Sequence, residues 1–348
     1  MADRSVRAVH YVGSLPGEDA ESAMSGALAK SGSRLRTLAD GETGERDRWI
    51  VNFVDSLDGH PDLDTVARGA WSSYTDIPKY RIRKGRELTG GALNLGYVDE
   101  FRRSYPVFKK LREKQGNEGL RYQVGVPGPL DLAMFVFGPI GPFKHVKPFH
   151  DATTRELREI HAEAGDDVLF QIEVPVELVF MTKAPKLLHG VLSRWLAKKV
   201  AAVAADAPEG TSFGVHLCLG DLNNKALGKL KSAAPLVTLS NAIVAAWPAG
   251  RKLEYVHAPL AMADLPPATD ESFYRALSGL VLPAGCRFIA GLAHEGQDLE
   301  TQRRLLALVE RLVKSDVDIA CACGLGRRNA DQAARAMDRC NELAETTG

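Results

Sequence analysis

Short apolar runs with strand character alternate with amphipathic stretches of helical period along most of the chain. The predicted strands lie at residues 8–16, 35–38, 120–129, 167–175, 213–220, 252–258, 287–295 and 317–323. The predicted helices lie at residues 18–30, 98–114, 152–164, 187–204, 225–247, 270–280, 299–314 and 330–345. Eight strand-plus-helix units predict an α/β fold, a (β/α)8 TIM barrel that occupies residues 1–348 as a single domain.

The alternation breaks down between about residues 58 and 119, where glycines, prolines, tyrosines and many charges occur together. This segment lies between predicted strands two and three, so we expect an insertion over the barrel mouth that shapes substrate access. The alternative is that the insertion lies at the periphery of the barrel or forms an oligomer interface, without a role in substrate access. No Gly-x-Gly-x-x-Gly follows the first strand, which argues against a dinucleotide-binding Rossmann fold.

The chain has 348 residues, of which 44 are basic and 44 acidic, and 45% are apolar. This balance is typical of a globular protein with a large core, and it gives no electrostatic argument for nucleic acid or an anionic membrane as a partner. The first residues lack the apolar stretch of a signal peptide, and charges interrupt the longest apolar runs. Together with five cysteines, an odd number, these features predict a cytoplasmic protein with reduced thiols.

Side chains that bind metals follow two of the predicted strands. His216 and Cys218 are two residues apart at the end of the fifth strand, so they point to the same side. Cys323 ends the eighth strand, and the carboxyl ends of barrel strands meet at one rim. An imidazole and two thiolates form a zinc site that leaves a position for substrate. The His-x-Cys pair alone is a weak signal, because buried cysteines and histidines are common in cores.

Three segments together resemble a known family: Gly214-Val215-His216-Leu217-Cys218, Leu253-Glu254-Tyr255 and Cys323-Gly324-Leu325-Gly326-Arg327. They resemble the zinc-bearing catalytic barrel of cobalamin-independent methionine synthase and its shorter single-barrel relatives. The resemblance implies that His216, Cys218, Glu254 and Cys323 are zinc ligands. His257, three residues after Glu254 and on the opposite strand face, is a chemically acceptable substitute, and we expect only one of these two to serve.

Further segments resemble the substrate-binding parts of the same family. Gly13 and Ser14 match the turn that holds the carboxylate end of a thiol amino acid, and Glu42 matches the acid that grips its amino group. Glu173 stands where the family has an Asp that contacts the substrate amine, and Val174 replaces the Glu that follows it. Without the resemblance, Ser14 would be interpreted as a helix cap and residues 45–48 as a solvated first turn of a helix.

Two more side chains at strand ends are candidates for the chemistry. His294, at the carboxyl end of the seventh strand, is a candidate catalytic residue, since an imidazole near a metal can act as a general acid or base at neutral pH. A simple surface histidine is the alternative. Cys321 precedes Cys323 by two residues, and we interpret it as either a thiol of the barrel core or an alternative ligand.

These residues predict a zinc-dependent methyltransferase that moves a methyl or other alkyl group to the sulfur of a small-molecule thiol. The family implies Zn²⁺ as cofactor and a folate as one candidate methyl donor. Three other functions stay open: a zinc-dependent thiol transferase that acts on another electrophile such as an epoxide, a metal-free barrel similar to uroporphyrinogen decarboxylase, and a non-catalytic binding protein with a closed structural zinc. Oligomeric state, donor and pathway have no signature in the sequence.

Overall fold

The computed structural model describes residues 7–46 and 48–345, so Asp47 of the Glu42 segment lies outside the described residues. Ten strands follow one another along this part of the chain. They are β1 (Val9–His10), β2 (Thr37–Leu38), β3 (Leu63–Ala67), β4 (Lys79–Ile82), β5 (Arg121–Pro127), β6 (Val168–Val174), β7 (Ser212–Leu217), β8 (Lys252–Pro259), β9 (Arg287–Ala293) and β10 (Asp318–Cys321).

Eight of these strands form one parallel sheet in the order β1-β10-β9-β8-β7-β6-β5-β2. A parallel bridge between Val9 and Leu35 joins its two ends, so the sheet is a nearly closed barrel. The predicted (β/α)8 TIM barrel is thereby confirmed. Since all eight strands run the same way, their carboxyl ends share one rim, where such barrels place their chemistry.

The helices cover the outside of the barrel and alternate with its strands. They are α1 (Ala20–Ser31), α2 (Trp49–Ser56), α3 (Tyr97–Gln115), α4 (Pro129–Phe137), α5 (Gly141–Lys144), α6 (Val146–Ala164), α7 (Pro175–Lys183), α8 (His189–Ala205), α9 (Ala234–Ala246), α10 (Leu299–Val313) and α11 (Ala330–Ala344). The segment predicted as a helix at 270–280 forms two short 3₁₀ helices, Glu271–Phe273 and Arg275–Gly279, instead of one continuous helix. Among the described helices, none combines the length and apolar character that crossing a membrane requires.

The predicted insertion lies between β2 and β5 and contains the antiparallel hairpin β3-β4 and the helix α3. It reaches the carboxyl rim of the barrel. The Tyr74 hydroxyl accepts a hydrogen bond from the Leu222 N–H at 2.7 Å, and the Asn223 amide donates to the Trp71 carbonyl at 3.4 Å. These bonds tie the insertion to the loop after β7.

Inside the barrel, a polar layer separates the apolar floor from the carboxyl rim. The Gln171 side chain is fully buried, and its carbonyl accepts from the Tyr255 hydroxyl at 3.0 Å and contacts His10 Nε2 at 3.0 Å. Its amide donates to the Val12 carbonyl at 2.6 Å, and the Gln123 amide donates to the same carbonyl at 2.7 Å. Because these buried polar groups are paired, they hold the strand ends in fixed positions.

Glycines on the strands make room for large side chains from neighbouring strands. A Cβ atom on Gly214 would lie 2.0 Å from Cζ of Tyr255, and one on Gly125 would lie 3.1 Å from Oε1 of Glu173. The barrel interior therefore accepts the Tyr255 ring and the Glu173 carboxyl only because β7 and β5 carry no side chain at these positions.

We predict that Gly214→Ala lowers the free energy of unfolding by about 3 kcal/mol, because the buried Tyr255 ring cannot move aside in a packed barrel. Chemical denaturation followed by circular dichroism measures this change. Gly26→Ala on α1 is the matched control, since no heavy atom lies within 4 Å of the added Cβ. We expect the control to raise stability by about 0.5–1 kcal/mol. Equal stability of Gly214→Ala and the wild type would contradict the close packing.

Candidate metal centre and substrate cavity

Three soft ligand atoms converge at the carboxyl rim. His216 lies near the end of β7, Cys218 follows that strand, and Cys323 follows β10. The Cys218 and Cys323 sulfurs are 3.6 Å apart, and Cys323 Sγ is 3.8 Å from His216 Nε2. All three ligand atoms lie within 4.8 Å of one another. The structure thus brings together three of the four residues that the sequence analysis assigned to zinc.

The tautomer of His216 follows from its neighbours. His257 Nε2 lies 3.0 Å from the Cys321 carbonyl, and the Nδ1 atoms of His216 and His257 are 2.6 Å apart. Burial lowers the pKa of both imidazoles, to about 4 for His257, so both rings are neutral. A carbonyl only accepts, so His257 carries its proton on Nε2 and its Nδ1 accepts from His216 Nδ1–H. His216 Nε2 therefore keeps its lone pair and faces the two thiols.

This donor set fits a zinc ion. An imidazole nitrogen with a free lone pair and two thiols are ligands that Zn²⁺ prefers, and a ligating histidine normally donates its other N–H to an acceptor. The bond with Cys218 and burial hold the pKa of the Cys323 thiol well above its ordinary value. Two adjacent buried thiolates need a cation beside them, and Zn²⁺ would supply that charge. The Gly220 N–H also donates to Cys218 Sγ at 3.3 Å.

Glu254, the expected fourth ligand, lies outside this cluster. The register of β7 and β8 pairs His216 with His257, and Glu254 is three residues, roughly 10 Å, nearer the amino end of β8. There its carboxylate accepts from Arg121 Nη1 at 3.1 Å. Of the two alternatives left open by the sequence, His257 is at the site, but it contacts His216 through Nδ1 rather than the thiols. His257 therefore contacts one of the three clustered side chains without joining the cluster.

Cys321 is a thiol of the barrel wall and not an alternative ligand. Its sulfur lies 3.7 Å from the sulfur of Cys340 on α11, away from Cys323. The register between β9 and β10 shifts between Ala320 and Cys321, and this irregularity breaks the simple alternation of faces on which the sequence-based expectation relied.

Cys218 and Cys323 line a cavity of about 400 Å³, within the range of small-molecule sites, and His216 Nε2 lies 3.8 Å from Cys323 Sγ. Acidic and basic side chains line one part of this wall, and apolar side chains line another. The charged part comprises Glu42, Arg46, Glu173, Asp221 and Arg327, and the apolar part includes Trp49, Ile50, Trp71, Phe135 and Val176.

Glu42 and Glu173, both predicted to bind substrate, come together in this cavity. A Cβ on Gly13 would lie 3.1 Å from Oε1 of Glu42 and 3.9 Å from Oε1 of Glu173. Gln171 Nε2 donates to Glu173 Oε1 at 3.2 Å. Burial, together with the charge of Glu42, raises the pKa of Glu173 to about 8. Two carboxylates that repel each other in a buried site form a receptor for a cation.

The backbone at Glu42 is held in an unusual conformation. Its φ angle is +50°, in the left-handed region that non-glycine residues seldom adopt. Asp40 Oδ1 accepts from the Glu42 N–H at 3.0 Å, and the other Asp40 oxygen pairs with Arg46. This arrangement fixes the direction of the Glu42 side chain toward the cavity.

Gly13 and Ser14 form the turn after β1, as the sequence analysis expected. The Ser14 hydroxyl accepts from the Gly326 N–H at 3.2 Å, and its carbonyl accepts from the Leu325 N–H at 2.7 Å. A Cβ on Gly324 would lie 2.2 Å from Ser14 Oγ. Ser14 therefore holds the loop that carries Cys323 against the first strand.

His294, the expected acid or base, directly follows β9 at the carboxyl rim of the barrel. It is buried, and it is not among the residues that line the cavity. Its Nδ1 accepts from the Gly296 N–H at 2.9 Å, and its main-chain N–H donates to Gln302 Oε1 at 3.1 Å. These bonds are those of a residue that shapes the loop after β9, and the geometry gives His294 no contact with the three ligands.

The sequence analysis missed several residues of the cavity. Trp71 and Tyr74 come from the insertion, and no periodic signal marks them. Asp221 lies three residues after Cys218, and its Oδ2 lies 3.4 Å from Arg327 Nη1. A run of polar residues after the His-x-Cys strand was the one available signal for Asp221.

Comparison with known proteins supports the fold. No family model matches the chain, and no curated protein matches it. A vitamin-B12-independent methionine synthase from a Shewanella species, solved in complex with selenomethionine, is 14% identical, with a TM-score of 0.60 over 98% of this chain and 97% of that one. A methyltransferase from Methanosarcina mazei is 12% identical, with a TM-score of 0.55 over 97% of this chain and 94% of that one. At these identities, the likeness shows a shared fold.

We predict that His257→Ala lowers zinc affinity by about 10- to 100-fold, because His216 loses the acceptor that fixes its tautomer and ring direction. Competition with a chromophoric chelator measures this affinity. His10→Ala is the matched control, since it also removes a buried imidazole but has Gln171, not His216, as its partner. We expect the control to stay within about threefold of the wild type. Equal losses in both variants would show that His257 acts only through general stability.

Proposed function

We propose that this protein is a zinc-dependent transferase that moves a methyl or other alkyl group to the sulfur of a small thiol. One observation carries the proposal: His216 Nε2 converges with the Cys218 and Cys323 sulfurs, and both cysteines line a cavity that also holds two facing carboxyl groups, those of Glu42 and Glu173. Structural neighbours described as a methionine synthase and a methyltransferase support the same assignment.

His216, Cys218 and Cys323 would hold Zn²⁺, whose contribution is to lower the pKa of a bound thiol so that it is a nucleophilic thiolate at neutral pH. Three protein ligands leave one tetrahedral position for that thiol. His257 keeps the His216 lone pair directed at the site. Ser14 keeps the Cys323 loop in place.

The acceptor is a thiol that carries an ammonium group. Glu42 and Glu173 would bind this group between their carboxylates, in a buried position where charge-assisted hydrogen bonds are strong. Gly13 and Ser14 are the proposed contacts of the acceptor's carboxylate end, and Arg327 on the same wall adds positive charge there.

The donor would lie against the apolar part of the wall. Trp71 and Phe135 have ring centroids 6.4 Å apart, and Trp49 stands on the same cavity. Such a surface suits a planar heterocycle, and a methyl-bearing folate is the candidate that the family resemblance suggests. The insertion supplies Trp71, so it contributes to donor binding in this proposal.

Metal content and thiol binding test the proposal. We expect about one zinc per wild-type chain and a loss of most of it in Cys218→Ser, since the mutant lacks one of three protein ligands. The cobalt-substituted protein should change its absorption spectrum when one equivalent of homocysteine is added. Cys286→Ser is the matched control, because that half-buried thiol lies away from the cluster. A wild-type protein without metal, or a cobalt spectrum indifferent to every thiol, would contradict the proposal.

The pKa of Glu173, about 8, predicts how acceptor affinity depends on pH. Below that pKa, Glu173 is protonated and cannot pair with an ammonium group. We therefore consider the affinity for an amino thiol divided by the affinity for the same thiol without its amine. This ratio should rise about tenfold per pH unit from about pH 6 and level off near pH 8. Isothermal titration with both thiols measures this ratio. Glu173→Gln should remove the dependence, and a ratio that is flat in the wild type would contradict the assignment.

A further inference from the structure

Two buried carboxyl groups, Asp131 and Glu177, face each other beside the cavity. Asp131 lies in the first turn of α4 and Glu177 in the first turn of α7, and each residue is 1% exposed. A Cβ on Gly128 would lie 2.6 Å from Asp131 Oδ2 and 3.3 Å from Glu177 Oε1. We call these two residues the carboxyl pair. Neither residue belongs to the cluster of His216, Cys218 and Cys323 or to the proposed ammonium site.

The hydrogen bonds of the carboxyl pair leave a proton to be assigned. Asp131 Oδ1 accepts from the Val176 N–H at 2.7 Å, but Asp131 Oδ2 and Glu177 Oε2 have no donor among the described residues. Ionised carboxylates only accept, so two of them in contact would repel each other in a buried site. One proton bound between them gives each carboxyl a partner. The carboxyl pair therefore holds at least one proton at neutral pH.

The position of the carboxyl pair connects it to the chemistry. Asp131 is part of the cavity wall, as are Pro127, Phe135 and the metal ligand Cys218. A negative charge on Cys218 would also raise the pKa of Asp131. Burial raises the pKa of both acids, for Glu177 to about 7, so a change of one proton lies within reach near neutral pH.

Resting on the proposed function, we infer that the carboxyl pair accepts the proton that the acceptor thiol loses on binding and returns it to the leaving group of the alkyl donor. The thiol S–H bond breaks and its proton moves to the carboxyl pair, which passes from one bound proton to two. The thiolate then forms the S–C bond while the bond between carbon and leaving group breaks. The leaving group keeps that electron pair and takes the second proton, which restores the carboxyl pair.

The carboxyl pair and the pair formed by Glu42 and Glu173 would bind different species. Glu42 and Glu173 share the cavity with Arg46 and Arg327, so a bound ammonium group leaves both ionised. Asp131 and Glu177 are each 1% exposed, and burial favours a neutral, protonated state. The carboxyl pair is therefore the proton store, and the first pair is the receptor for charge.

Counting the protons released on thiol binding tests the inference. The zinc-loaded protein is titrated with homocysteine, and separately with 2-mercaptoethanol, in buffers of different ionisation enthalpy near pH 7. A thiol that binds as thiolate releases about one proton unless a protein group takes it. We expect the wild type to release close to none, and Asp131→Asn and Glu177→Gln to release about one. Glu118→Gln, which alters an exposed carboxylate, is the control and should match the wild type.

Infrared spectroscopy of the resting protein supplies a second readout that needs neither thiol nor turnover. The wild type should show the C=O band of a buried protonated carboxyl group, and this band should disappear or shift in each isosteric variant. Release of about one proton by the wild type, with normal thiol binding, would overturn the inference and leave the proposed function intact. Absence of thiol binding would overturn the proposed function, and absence of the infrared band would overturn the carboxyl pair as a proton store.

Discussion

The hydrogen bond between His216 and His257 is the interaction on which the arrangement of the site depends. The Cys321 carbonyl sets the tautomer of His257, and His257 in turn sets that of His216. This chain leaves the Nε2 lone pair of His216 directed at the two thiols. It exists because the register of β7 and β8 places the two imidazoles opposite each other, and because Gly291 on β9 has no side chain to displace His257.

Different parts of the cavity wall carry side chains of different charge and polarity. Two thiols, those of Cys218 and Cys323, lie on one part of the wall, the carboxyl groups of Glu42 and Glu173 lie near two arginines on another, and the remaining wall is aromatic and apolar. Each part changes the cost of ionisation for its neighbours, since a buried charge is stable only with a partner. In the proposed reaction, thiol, ammonium group and proton therefore each have a separate place. The insertion contributes Trp71 and Tyr74 to the cavity wall and is hydrogen-bonded to the loop after β7.

Strand alternation in the sequence was enough to predict the barrel and to put His216 and Cys218 on one side. The family resemblance assigned Glu254 to zinc, and alternation left Cys321 as either a core thiol or a ligand; neither accounts for the register irregularities beside these residues, at Phe213/Gly214 and Ala320/Cys321. Such bulges leave no pattern in a single sequence. The carboxyl pair could not be predicted from the sequence either. Asp131 and Glu177 lie in the first turns of two different helices, and they meet only because β5 and β6 pair.

The central claim is that a thiol substrate completes a centre formed by one imidazole and two thiolates. Zinc K-edge X-ray absorption of the zinc-loaded protein, with and without the selenol analogue of homocysteine, tests it most directly. The account predicts one nitrogen and two sulfur ligands from the protein, with Zn–S distances of about 2.3 Å, and a new selenium shell on adding the selenol. A zinc shell of four protein ligands that is unchanged by the selenol, or no bound zinc, would contradict it.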